Sequence, residues 1–158
     1  MIEVNVSGPY VEPEHSSYVV LLNEEDGNRS LPIWIGPTEA YAIAYELAGV
    51  KSKRPLTHDL ATHILQQLDA RVAKVAVSKL VEKVFYAELF LEADALVLKI
   101  DARPSDSIIL ALKMSAPIFV AEEVMGHAKG GAASSEETED LRARLQRLQP
   151  EDFGNFGL

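Results

Sequence analysis

The hydrophobic period along this chain restricts its possible folds more than any other feature. Ile2, Val4 and Val6 alternate with Glu3, Asn5 and Ser7, the period of two that marks a half-buried strand. Tyr18–Leu22 reads as a second, more fully buried strand, and Leu31–Ile35 as a third, with the turn cluster Asp26-Gly27-Asn28 between them. Gly36-Pro37 then changes the period. Ala40, Ile43, Ala44 and Leu47 recur at helical spacing up to Gly49, and Leu60, Ile64, Leu65 and Leu68 define a second amphipathic helix with Thr57 as its N-cap. Three strands follow, over 71–80, 84–92 and 96–101, in which Phe85, Ala87, Leu89 and Leu91 share one face, as do Leu96, Leu98 and Ile100. Pro104 opens a third helix with Ile108, Ile109 and Leu112 as its buried stripe, Pro117 ends it, and 118–121 reads as a short strand.

The strands therefore come in two blocks separated by helices, not in strict βαβ order. That pattern predicts an α+β fold with a mixed, mainly antiparallel sheet or sheets, about three packed helices and a further C-terminal helix. Residues 1–127 form the expected domain. The glycine-, serine- and glutamate-rich stretch 128–137 has linker composition, and Leu141, Leu145 and Leu148 mark the helix expected within 138–158.

A chain of 158 residues is long enough to bury about 70% of its unfolded surface. No apolar run approaches the roughly 20 residues that cross a bilayer, and the N-terminus lacks the pattern of a secretory signal. There is no cysteine, which excludes disulfides, thiolate metal sites and a cysteine nucleophile. The simplest expected location is the cytoplasm, with no membrane partner. Charge weighs against a nucleic-acid grip. With 24 acidic and 15 basic residues the net is -9, without the positive footprint that phosphate-neutralising proteins display.

Phosphate-binding glycine loops, HExxH, nucleophile elbows and EF-hand spacings are absent. Two polar clusters remain, Arg54-Pro55-Leu56-Thr57-His58-Asp59 and Asp101-Ala102-Arg103-Pro104-Ser105-Asp106. Each sets carboxylates, a hydroxyl and a cation at a helix N-terminus, where free backbone N–H groups favour anions. A purely structural account of the same residues has Thr57 capping, Asp59 and Asp106 complementing helix dipoles, and Arg103 pairing across its turn. That account explains His58 least well, since a cap needs no imidazole, although a surface histidine beside an aspartate is not rare. Glu39 and Glu46 fall seven apart on a similar helical face, and one of Glu122 and Glu123 is expected to point over the sheet edge. Carboxylates of this kind, if convergent, suit Mg²⁺ or Mn²⁺.

The segments LPIWIGPTEAYAIA, RPLTHDLATHIL and IDARPSDSIILALKMSAPIFVAEEV, in this order, resemble the bifunctional nuclease family of bacteria and plants over about residues 1–125. The resemblance implies a mixed α/β domain that forms homo-oligomers, expected to be homodimers, and an activity that cleaves both DNA and RNA. The positions matching its polar motifs are Glu39, Arg54, Thr57, His58, Asp59, Asp101, Arg103, Ser105 and Asp106.

The leading expectation is a nuclease that hydrolyses phosphodiester bonds without sequence specificity, assisted by divalent Mg or Mn. His58, Asp59 and Asp106 are the expected catalytic residues. Imidazole, with an ordinary pKa near 6.5, suits proton transfer at neutral pH. Arg54, Arg103, Ser105 and Thr57 are expected to bind substrate, and Asp101, Asp106 and Glu39 the metal. The rivals are a non-catalytic binding or scaffold module and an enzyme on a small anionic metabolite. Both fit the acidic surface better.

Overall fold

The computed structural model describes residues 1–12 and 17–130. Most of the expected linker and all of the expected C-terminal helix lie outside the described residues. The first block of strands, β1 (Ile2–Glu12), β2 (Ser17–Glu24) and β3 (Arg29–Ile35), forms an antiparallel meander. Helices α1 (Pro37–Leu47) and α2 (Thr57–Gln67) follow, then the second meander of β4 (Ala70–Val81), β5 (Val84–Ala93) and β6 (Leu96–Ala102). The described chain closes with α3 (Pro104–Met114), β7 (Ile118–Val120), a short helix α4 (Glu122–Met125) and β8 (Lys129–Gly130). The fold is α+β, as the period pattern predicts.

Both meanders belong to one sheet, in the order β6-β5-β4-β7-β1-β2-β3-β8. Only β7 joins them. Its three residues run antiparallel to Ile2–Val4 on one side and parallel to Val75–Val77 on the other. Among the described residues this is the one parallel pairing, and it makes the sheet mixed. Ile118 and Val120 point into the core, so a three-residue strand is retained by burial as well as by its ladder.

One face of the sheet carries the helices. Val20, Leu22, Leu31, Ile33, Val75, Val77, Ala87, Leu89 and Leu91 meet Ile43 of α1 and Ile108 and Ile109 of α3 in a single core. Helix α1 stops where the sequence places the stop. Gly49 adopts a left-handed φ of 67°, its N–H bonds the Glu46 carbonyl at 3.1 Å, and the Val50 N–H reaches the Tyr45 carbonyl at 2.9 Å. This paired closure is the Schellman arrangement, which glycine makes without steric cost.

Three expectations need correction. Thr57 is the first helical residue of α2, and Leu56 occupies the cap position with extended backbone. The Asp59 carboxylate supplies the capping bond instead, accepting the Leu56 N–H at 2.8 Å. Of the apolar stripe of α2 only Leu65 turns inward, beside Ala61 and Thr62, whereas Leu60, Ile64 and Leu68 are 54%, 50% and 68% exposed. Both Glu122 and Glu123 are exposed in the first turn of α4, with Glu122 accepting a hydrogen bond from Arg29 at 2.7 Å.

The sheet edge at β6 is also unlike a half-buried strand. Leu96, Leu98 and Ile100 lie on the helix side of the sheet, opposite Ala93, Leu91 and Leu89, yet among the described residues they remain largely exposed. Among the described residues no helix is long and apolar enough to cross a membrane.

Candidate functional site

Helix α3 is the hub to which the other two long helices are tied. Its N-terminus follows β6 directly. Extended Arg103 gives way to Pro104, whose fixed φ suits the first helical position and whose missing N–H leaves no donor unpaired there. The turn that follows is packed against the sheet, so that Pro104, Ser105 and Ser107 are buried. Asp106 emerges from this rigid start with both oxygens engaged. Arg103 donates from Nε to Oδ2 at 2.7 Å and from Nη2 to Oδ1 at 3.0 Å, a two-point pairing across one turn.

His58, on the first turn of α2, meets the same carboxylate. Its Nε2 lies 3.0 Å from Asp106 Oδ1. The two polar clusters, 48 residues apart, therefore share one site. The Arg103 guanidinium holds the Asp106 carboxyl below the usual carboxylate range, and the His58 contact adds to this against the opposing effect of burial. An ionised carboxylate only accepts, so Nε2 carries the proton in this bond and Nδ1 is the basic nitrogen of a neutral His58. Arg103 Nη2 also forms an ion pair with Glu39 Oε1 of α1 at 3.1 Å, and its two carboxylates keep the guanidinium charged by raising its pKa.

A second knot sits beside the first. Lys113, in the last turn of α3, donates to Glu46 of α1 and to Asp59 of α2. The Lys113 hydrogen bond, followed by the Leu56 N–H, pulls the Asp59 carboxyl down. Burial works against the charge on Lys113, yet its two carboxylate partners together raise its pKa. Asp59 is thus occupied by Lys113 and the helix cap and does not touch His58. The orienting carboxylate is Asp106.

Beside this knot an open cleft of about 450 Å³ runs between α1, α2 and the connecting loop 48–56. His58, Asp59, Glu46 and Lys113 line it, together with Tyr45, Lys51, Lys53 and His63. Of the expected site residues, only His58 and Asp59 line this space, and Asp106 holds His58 through the hydrogen bond already described. Arg103 and Glu39 continue the chain of contacts from Asp106 and do not line the cleft. Ser105 is buried beneath the turn, and Arg54 and Thr57 are exposed but outside the lining.

The expected metal trio does not assemble. Asp101 pairs with Glu88 across β5–β6 and shares its sheet face, while Ala102 takes the helix side; the period of two sends Asp101 away from Asp106. Glu39 and Asp106 are linked through Arg103, whose guanidinium bonds to both. Among the described residues no three His, Asp or Glu side chains gather as cation ligands.

Several lining residues escaped the sequence reading. Lys113 gave no local signal, because its meaning depends on Glu46 and Asp59 arriving from other helices. Lys51 and Lys53 did give one, as part of the Lys51-Ser52-Lys53-Arg54 run, which reads as a connector until the fold sets it on the rim of a cleft.

Residues 20–131 match the model of the bifunctional nuclease domain. An uncharacterized protein of Mycobacterium tuberculosis is 39% identical over 97% of this chain and 98% of its own length. Bifunctional nuclease 1 of Arabidopsis thaliana is 26% identical over 68% of this chain and 35% of its own length. Bifunctional nuclease 1 of Oryza sativa subsp. japonica is 24% identical over 68% of this chain and 33% of its own length. The chain thus spans about a third of these plant proteins.

Proposed function

Because this chain belongs to the bifunctional nuclease domain family, we propose that it hydrolyses phosphodiester bonds of DNA and RNA without sequence specificity, at the His58 wall of the cleft. The observation that carries the reading is the carboxylate-oriented histidine. Asp106 fixes the ring and its tautomer, leaving Nδ1 to accept a proton. In the proposed step a water oxygen attacks phosphorus, its proton passes to Nδ1, and the bond to the leaving oxygen breaks as that oxygen takes a proton back. Arg103 positions Asp106 in this scheme and Lys113 positions α2. Lack of sequence preference fits a site directed at the backbone. Assistance by Mg²⁺ or Mn²⁺ stays within the proposal, with no ligand set assigned and no step drawn through a metal.

A second reading is an enzyme on a small phosphorylated metabolite. The cleft volume, within the range of small-molecule sites, and the net charge of -9 favour it. Purified protein incubated with single-stranded RNA and DNA, with Mg²⁺ or Mn²⁺ and with EDTA, separates the two. The nuclease reading expects cleavage that falls by about 10²–10⁴-fold in His58→Ala and Asp106→Asn. Cleavage unchanged in both variants sinks the site assignment. No cleavage by the wild type under any of these conditions favours the small substrate.

We also propose a homodimer through β6. This edge is seven residues long and rich in exposed Leu, Val and Ile. Asp101 stands directly opposite Glu88, two like charges with only Lys99 bridging to Glu88 at 2.7 Å. Antiparallel self-pairing centred on Ile100 sets Lys99 of each copy against Asp101 of the other. Light scattering after gel filtration should give a dimer that Leu98→Lys converts to monomer; a wild-type monomer at tens of micromolar defeats the proposal.

A further inference from the structure

We infer that the cleft takes single-stranded nucleic acid and excludes duplex, with a base stacked on Tyr45 and adjacent phosphates held by Lys51 and Lys53. The inference rests on the nuclease reading for its chemistry but stands or falls on binding.

Charge is the first observation. Across the chain acidic residues outnumber basic ones by nine. The lining of the cleft reverses this, since Lys51, Lys53 and Lys113 face only Glu46 and Asp59, and both carboxylates are already bound by Lys113. Lys51 and Lys53 are exposed and hold the only charges in the lining without a carboxylate partner among the described residues. The cleft is a small positive island on a negative molecule, and a partner must present its phosphates locally. A duplex carries one charge per roughly 1.7 Å of axis over a wide cylinder, far more than two unpaired lysines in one cleft can neutralise.

Shape is the second observation. Tyr45, 41% exposed, lies in the cleft wall in the last turn of α1, and the Schellman closure at Gly49 turns the loop carrying Lys51 and Lys53 back beside it. An aromatic ring next to two cations is the minimal platform for a single strand, because a base offers its face to the ring only when it is unpaired. Exposed Val50 and Leu56 also line the cleft. At about 450 Å³ the space admits one or two nucleotides and not a double helix.

Binding of a 5′-fluorescein single-stranded octamer, as RNA and as DNA, to the full chain is read by fluorescence anisotropy. Wild type is measured at short times and His58→Ala alongside it, so that loss of cleavage and loss of binding are seen separately. The single strand should bind at least about tenfold more tightly than a duplex of the same sequence. Two phosphate contacts predict a slope of log K against log salt of about -1.4, at roughly 0.7 per contact. Lys51→Gln with Lys53→Gln should bring that slope close to zero, and Tyr45→Ala should weaken the single strand about tenfold without changing the slope. A duplex that binds as well as the single strand overturns the inference, as does a slope or affinity indifferent to these substitutions. Inorganic phosphate or a mononucleotide competing as strongly as the octamer also overturns it, in favour of the small-metabolite reading. Binding as expected from a protein that cleaves nothing leaves this inference standing and removes the nuclease reading.

Discussion

The two helix starts that meet at the site are similar in composition and opposite in setting. In α3, Pro104, Ser105 and every residue from Ser107 to Ala111 are buried between the sheet and α1. At α2 the cap Leu56 and Thr57, Leu60 and Ile64 are exposed, and Thr62 alone of the helix's eleven residues is buried. Packing dominates in α3, whereas α2 adds to the inward packing of Ala61, Thr62 and Leu65 two side-chain ties, the His58–Asp106 contact and the Lys113–Asp59 pair. The difference assigns their parts. The buried start carries the orienting carboxylate, which must not move, and the lightly packed start carries the imidazole that faces the cleft.

One residue type, present in both helices, tests that contrast. Ile108 in α3 is fully buried and Ile64 in α2 is 50% exposed. Ile108→Ala should cost about 2–5 kcal/mol, the transfer and cavity terms of a core site with little room to collapse. Ile64→Ala should cost less than about 1 kcal/mol, since the side chain already touches water. Urea unfolding of both variants measures the gap, and equal costs would show that α2 is packed in solution by something beyond this chain's described residues.

What the sequence revealed divides along the same line. The strands, α1 and α3 were legible because burial on one face writes a period into the chain, as in Ala87, Leu89 and Leu91 or Ile108 and Ile109. The period misled at α2 and β6. Leu60, Ile64 and Leu68, like Leu96, Leu98 and Ile100, are spaced for burial and left uncovered, and periodicity states that a face is apolar without stating what lies against it. Joining of the two meanders was also hidden, because β7 is too short to advertise two neighbours. In the site, His58 and Asp106 were nameable from their odd chemistry at helix starts. Their contact depends on sheet order, which local pattern does not encode. Asp101 was misplaced because a motif read as a string ignores that successive residues of a strand face opposite ways. Lys113 was invisible for a related reason: it occupies an ordinary last-turn position, and only the packing of three helices gives it two carboxylates.

The smaller effect concerns those ties. Lys113→Met keeps most of the length of the side chain and removes its charge, leaving Glu46 and Asp59 to face each other without a cation. A fully buried pair broken in this way costs about 3–5 kcal/mol. The carboxylates here are 23% and 29% exposed, so screening reduces the expected loss to about 1–2 kcal/mol at neutral pH. The dependence on pH has a definite sign. The Asp59 pKa is lowered in the fold, chiefly by Lys113, so its contribution is present above the unfolded value of about 3.9 and is lost as pH falls through the folded value. The Lys113 pKa is raised, so its contribution is complete below the unfolded value of about 10.4 and is lost as pH rises through the folded value. The stability difference between wild type and Lys113→Met should therefore be greatest between about pH 5 and pH 10 and shrink on both sides. In acid the curves should converge, because protonation relieves the repulsion that only the variant suffers. Amide exchange sharpens the reading, with protection expected to fall through Leu60–Leu65 of α2 while Ile108–Ala111 of α3 keeps its own. A pH-independent difference would mean that Lys113 contributes through its hydrocarbon stem alone, and that α2 is held to the platform by something other than its charge.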